Sequence, residues 1–221
     1  MSVRQAPEQL HELNEAVDPA DTRALILHTA MELFLKHGYA AVSINQIIEE
    51  VSRVRKLTKP TIYYYFADKE ALFVAVLLES MEQRGRQITA ASQTGGDLAT
   101  RVAALAWALR GGHNFMVTLR SALSELQEES REQFMRARHA NIFAPLVAAF
   151  EQFAAQGDLR PGITPGVAAT ALVGLSHTLS FSDALTGIDI DVATLTAEIL
   201  LNGIAAHERE ERGPPVVAPG V

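Results

Sequence analysis

Residues 58–69, reading Thr-Lys-Pro-Thr-Ile-Tyr-Tyr-Tyr-Phe-Ala-Asp-Lys, gather the side chains best suited to chemistry with another molecule. Two hydroxyls (Thr58 and Thr61), the Lys59 ammonium and three successive phenols (Tyr63, Tyr64, Tyr65) follow one another there, and those are three of the four tyrosines in the chain. Thr58 suits a helix cap and Pro60 the first helical turn, where its missing N–H costs little, so a short helix is predicted over 59–65. Each residue turns about 100° around a helix axis, so three consecutive tyrosines cannot share one buried face and at least one points outward. Ile62 and Phe66, four apart, share an apolar face. The major groove of DNA, about 12 Å wide, admits one helix of this kind, with polar and aromatic side chains near its start and amides offered to phosphate oxygens.

Other chemistry finds little support. The absence of cysteine excludes disulfides, thiolate zinc sites and a thiol nucleophile. None of the seven histidines stands four residues from another, the spacing of a helical metal pair. Gly174-Leu175-Ser176-His177-Thr178 lacks the second glycine of a nucleophile elbow, and no glycine-rich phosphate loop occurs. A binding protein is expected and not an enzyme, with no metal and no cofactor.

The scaffold for such a helix is available. The chain has 221 residues, 48% of them hydrophobic, enough to bury a real core. Its net charge of −7 argues against coating nucleic acid with a blanket of positive charge. The basic residues are concentrated instead: 53–59 holds Arg53, Arg55, Lys56 and Lys59 with no carboxylate, whereas 125–132 holds four glutamates and one arginine. No apolar run approaches the roughly 18 residues of a membrane span, and the N-terminus has no signal-peptide core, so a cytoplasmic protein without a membrane partner is expected.

Apolar residues recur at three- and four-residue spacing nearly throughout, with no period-two run, which predicts an all-α fold of about nine helices. Residues 1–20 read as an acidic extension and 209–221, rich in proline and glycine, as a disordered tail. The first confident helix starts at Asp21 or Thr22 and ends at Gly38, a left-handed terminator. Ser43-Ile44-Asn45-Gln46 has the form of a capping box opening a second helix through Ile47, Ile48 and Val51. Asp68 caps a fourth helix, with Leu72, Phe73, Val76, Leu77 and Met81 on one stripe, reaching about Ser92. Further helices are expected over 97–110, 113–126, 128–156 with a break before Pro145, 164–185 and 191–207.

In this order the residues resemble the TetR family of regulators. The resemblance runs over Gly38-Tyr39, Ser43 with Ile47, Thr58-Lys59-Pro60-Thr61-Ile62-Tyr63-Tyr64-Tyr65-Phe66 and Asp68-Lys69-Glu70-Ala71-Leu72. It implies that Asn45, Lys59, Pro60, Thr61, Tyr63, Tyr64, Tyr65 and Lys69 touch DNA, while Ile62 and Phe66 belong to the core. One departure stands out: Ser52-Arg53-Val54-Arg55-Lys56 adds about four residues, close to one helical turn, between the two helices of the motif. The addition reads either as a longer second helix placing Arg53, Arg55 and Lys56 against phosphates or as a solvated loop.

The resemblance further implies a DNA-binding domain over 21–81 and an effector-binding and dimerisation domain over 82–208. Trp107, Phe115, Met116, Phe134, Arg136, His139, Phe143, His177 and Phe181 are candidates for an effector pocket, although large residues at helical spacing serve a plain core as readily. Helices 165–185 and 191–207 carry more apolar surface than a small domain needs, and in the family such a pair builds a homodimer. The expected partners are double-stranded operator DNA, a small-molecule effector and a second copy of the chain. The expected function is ligand-responsive transcriptional regulation, with repression released by the effector. The alternative is a helical small-molecule-binding or sequestering protein that no longer binds DNA.

Overall fold

The computed structural model describes residues 19–110, 119, 122–180 and 191–204. The chain is all-α, and among the described residues there are nine α-helices, one π-helical turn and no β-strand. The helices are α1 Pro19–His37, α2 Ile44–Ser52, α3 Lys59–Tyr65, α4 Lys69–Ser92, α5 Leu98–Ala108, α6 Glu128–Arg138, α7 Ala144–Ala155, α8 Pro165–Ser180 and α9 Val192–Ile204, with the π turn His139–Phe143 between α6 and α7. The acidic extension up to Val17, the tail 209–221 and most of the helix expected over 113–126 lie outside the described residues, as do the expected helix ends at 185 and 207.

Two compact units divide the chain, one reaching Glu82 and including 114–137, the other made of 83–113 and the residues from Arg138 onward. In the first unit α1 starts at Pro19, two residues before the anticipated Asp21, because proline at a first helical position is already set to the helical φ. Gly38 ends the helix at φ +81°, a conformation that glycine adopts without a Cβ penalty. α1 and α2 pack together, as do α2 and α3, around Ile26, Ala30, Ile47, Val51, Leu57, Ile62 and Phe66. Phe34, Tyr39 and Phe73 form an aromatic cluster behind them, with ring centroids 4.6 to 5.9 Å apart.

α4 and α6 are joined by one carboxylate. Glu70 Oε1 accepts from the Gln127 N–H at 2.9 Å and from the Ser130 hydroxyl at 2.5 Å, capping α6 from another helix. Removing this cap in Glu70→Ala leaves a helix-end amide without its charged acceptor and is expected to cost about 1–2 kcal/mol. A thermal melt then falls by about 2–8 °C, and an unchanged melt would mean that water replaces the carboxylate.

In the second unit α5 packs against α9 and α8, and α8 packs against α9 and α7. Leu105, Ala106, Leu146, Phe150, Phe153, Ala168, Ala169, Leu172, Ala193 and Ala197 fill the interior, and the abundance of alanine in α8 and α9 lets helices approach closely. The π turn falls where the sequence predicts a break: Pro145 has no N–H for the carbonyl of Asn141, and the helix widens over that stretch, with the Ala144 N–H reaching back to the carbonyl of His139. A Cβ at buried Gly85 of α4 would stand 2.9 Å from the Asn141 carbonyl, so glycine is what allows α4 to lie against this turn.

Candidate nucleic-acid interface

α3 stands on a frame whose local contacts are short range. The capping box of α2 is formed, with Ser43 Oγ accepting from the Gln46 N–H at 3.3 Å and Gln46 Oε1 accepting from the Ser43 N–H at 2.7 Å. Asp68 Oδ1 accepts from the Ala71 N–H at 2.7 Å and opens α4. Thr58 occupies the cap position of α3 as expected, but its side chain makes no cap hydrogen bond and shares a 2.8 Å bond with the Thr61 hydroxyl instead. The threonine pair therefore ties the first turn together by side chains.

Ile62 is completely buried and Phe66 nearly so, and they pin α3 from behind. On the other side Tyr64 is 81% and Tyr63 43% exposed, while Tyr65 is half-buried and meets the Tyr64 ring edge-on at 5.1 Å. Lys59, Pro60 and Asn45 are exposed, and Thr61 is half-buried. The expected split of α3 into a core face and an outward aromatic face is present.

Lys69 is held within the domain. Its ammonium lies 4.2 Å from the Tyr39 ring centroid and donates to the Ala40 carbonyl at 3.4 Å, bracing the corner between α1 and α2. Burial pulls this ammonium below the ordinary lysine range, with Glu125 opposing the shift. Burial also pushes the Tyr39 phenol up, helped by Glu70, Glu125 and Asp68.

The added segment is a turn and loop. α2 ends at Ser52, whose hydroxyl closes the loop by donating to the Leu57 carbonyl at 3.3 Å and accepting from the Leu57 N–H at 3.4 Å. Arg53 pairs with Glu50 at 3.0 Å, and Arg55 donates to the Thr22 hydroxyl of α1 at 2.5 Å. Lys56 is exposed. With two of the three cations engaged inside the domain, replacing Arg53, Arg55 and Lys56 by alanine is expected to flatten the salt dependence of DNA binding by about one phosphate, ~0.9 in log–log slope. A drop near three phosphates would mean that all three meet DNA, and no change would remove the loop from the interface.

The anticipated effector residues do not gather at one place among the described residues. Trp107 is 62% exposed with Arg110 beside its ring, Arg136 is exposed and pairs with Glu132 at 3.1 Å, and His139 is exposed. Of the candidates for an effector pocket, Arg136 and His139 thus both face outward. Phe134 lies in the core of the first unit. Phe115, Met116 and Phe181 lie outside the described residues. A cleft of about 480 Å³ behind α3 is lined by Arg23, Tyr65, Phe66, Glu70, Ser130 and Gln133, with none of the anticipated effector residues in its lining.

Phe143 and His177 remain half-buried in the second unit, joined by two residues that sequence reasoning missed. Arg84 Nη1 donates to the carbonyls of Ala108 at 3.2 Å and Arg110 at 2.6 Å, and the Arg138 guanidinium lies 4.7 Å from the Phe143 ring centroid. Burial holds the His177 imidazole below its ordinary range, and Arg138 and Arg84 lower it further. The folded protein therefore keeps His177 neutral while the unfolded chain takes up the proton, so this group's contribution is intact above the unfolded pKa of about 6.5 and is lost as pH falls. Melts between about pH 7.5 and 5 should fall less steeply in His177→Gln than in the wild type, and equal slopes would contradict this.

A capped three-helix frame that presents an exposed aromatic helix is, by class, a helix-turn-helix DNA reader. Residues 26–76 match the family model of the bacterial regulatory proteins, tetR family. YuxN of Bacillus subtilis (strain 168), an uncharacterized HTH-type transcriptional regulator, is 40% identical over 53 residues, which span 24% of this chain and 17% of that protein. The fold is similar to that of reduced NemR from E. coli, with TM-score 0.69 and 22% identity over 83% of this chain and 97% of that one. Salmonella enterica GusR gives TM-score 0.68 and 22% identity over 85% and 97%. Residues 26–76 therefore carry the helix-turn-helix unit of the bacterial regulatory proteins, tetR family, and beyond them the likeness to NemR and GusR shows a shared fold.

Proposed function

We propose that this protein is a ligand-responsive transcriptional repressor whose homodimer reads a pseudo-palindromic operator. The observation that carries the DNA contact is the outward display of Lys59, Tyr63 and Tyr64 on a helix fixed from behind by Ile62. Pro60, Thr61, Tyr65 and Asn45 complete the contact set, with Lys69 at its margin. Two copies of α3 enter successive major grooves about 34 Å apart on one face of the duplex. Dimerisation through residues 165–185 and 191–207 is supported by an uncovered row on α8, Val167, Thr170, Gly174 and Thr178, and by exposed Ile199 on α9.

The division of labour assigns 21–81 to reading and 82–208 to effector binding and dimerisation. An effector that prefers a different separation of the reading heads weakens DNA binding by a coupling of about 1–3 kcal/mol. A gel shift on DNA upstream of the protein's own gene, run beside sedimentation at micromolar concentration, tests this. A salt-sensitive shift by a dimer is expected. A monomer in sedimentation, or no shift at low salt, would overturn it and favour the sequestering alternative.

A further inference from the structure

We infer that the cleft behind α3 is a binding site for a small organic cation, an ammonium carried on a compact apolar body. The cleft measures about 480 Å³, within the roughly 300–1,000 Å³ that small-molecule pockets occupy. Its lining belongs wholly to the first compact unit, the one that holds the reading helix. Four stretches of chain close it: Arg23 near the start of α1, Tyr65 and Phe66 at the end of α3, the first turns of α4 and the first turns of α6. An occupant therefore sits directly behind the reading helix and bridges it to α6.

The chain itself lays a cation in this cleft, since the Arg23 guanidinium stands 5.6 Å from the centroid of the Phe66 ring. Aromatic faces attract cations, and the Tyr65 ring, 6.4 Å from that of Phe66, adds a second one. Arg23 is exposed, and exposed pairs of this kind are weak, so a bound ammonium can displace it. Three carboxylates line the same space. Glu70 Oε1 accepts from the Gln127 N–H and the Ser130 hydroxyl, and Asp68 Oδ1 accepts from the Ala71 N–H, so both groups are fixed in direction before any ligand arrives. A carboxylate has two acceptor oxygens, and these bonds engage one of each pair. Glu129, exposed on α6, is the third. Three carboxylates against one guanidinium leave the lining net negative, which draws in a cation and repels an anion. Val74, Ala75 and Leu78 of α4 give an apolar wall for the body of the molecule.

The test is titration calorimetry on the full chain with 2-phenylethylamine, 2-phenylethanol and 3-phenylpropionate, which share an apolar body and differ in charge. The amine is expected to bind on the order of tenfold more tightly than the alcohol, and the carboxylate more weakly than either. Glu129→Gln is expected to weaken the amine about two- to fivefold, as loss of an exposed ion pair implies. Arg23→Gln should tighten it by removing the competing cation. Glu132→Gln takes the same charge from the same helix outside the lining and should leave binding unchanged. All three residues are exposed, so thermal melts of the variants should match the wild type. Absent amine binding, or equal affinity for amine and alcohol, overturns the inference. So does a loss in Glu132→Gln as large as that in Glu129→Gln, which would mean a diffuse pull by an acidic chain. Amine binding that neither Glu129→Gln nor Arg23→Gln alters, or that Arg23→Gln weakens, places the ligand elsewhere and overturns it too.

Discussion

Exchanging Lys59 and Tyr64 for alanine together is expected to lower operator affinity roughly a hundredfold, as two lost contacts of about 1–2 kcal/mol each imply. Both side chains are exposed, and neither supports the core that Ile62 and Phe66 form behind them. The variant should therefore keep its helicity and melting temperature. Lys59→Ala alone should weaken binding to all sequences alike and flatten the salt slope by about one phosphate, ~0.9, whereas Tyr64→Ala should leave that slope in place. Fluorescence anisotropy over a salt series separates the two contributions. Wild-type affinity in a folded double variant would remove α3 from the interface.

The second large effect falls on stability. Phe73 is almost completely buried, its ring 5.0 Å from that of Phe34 and 4.6 Å from that of Tyr39. Phe73→Ala opens a cavity and dissolves the cluster that ties α4 to the reading head, at about 3–5 kcal/mol. The melting temperature should then drop by roughly 6–20 °C. Phe73→Leu, which keeps most of the volume, should lose much less. Similar melts for both variants would show that the surrounding helices collapse onto the gap.

What was legible in the sequence is local. The Ser43–Gln46 box, the Gly38 terminator and the Asp68 cap each need only a few consecutive residues, and each is present. The two faces of α3 follow from helical spacing alone. The Glu70 cap on α6 joins residues 57 apart, and the Arg55 bond to Thr22 joins residues 33 apart, so neither leaves a local signature. For the inserted segment, length alone favours an extra helical turn as much as a loop. The Ser52 hydroxyl, bonding both polar backbone groups of Leu57, favours the loop.

Effector residues were the least legible because size and polarity do not reveal which face of a helix is covered. Arg136 did carry a signal, since Glu132 lies four residues before it and such pairs belong to solvated helix faces. Arg84 carried none. Its anchoring depends on the carbonyls that end α5, more than 20 residues away, and on Gly85 admitting the π turn beside it.

Hydroxyl-radical footprinting on the DNA upstream of the protein's own gene tests the central claim most directly. Two protected patches on one face of the duplex, centred about one helical turn apart and lost together in the Lys59 and Tyr64 double variant, are the predicted result. Absence of protection at low salt, or a uniform footprint retained by that variant, would contradict it.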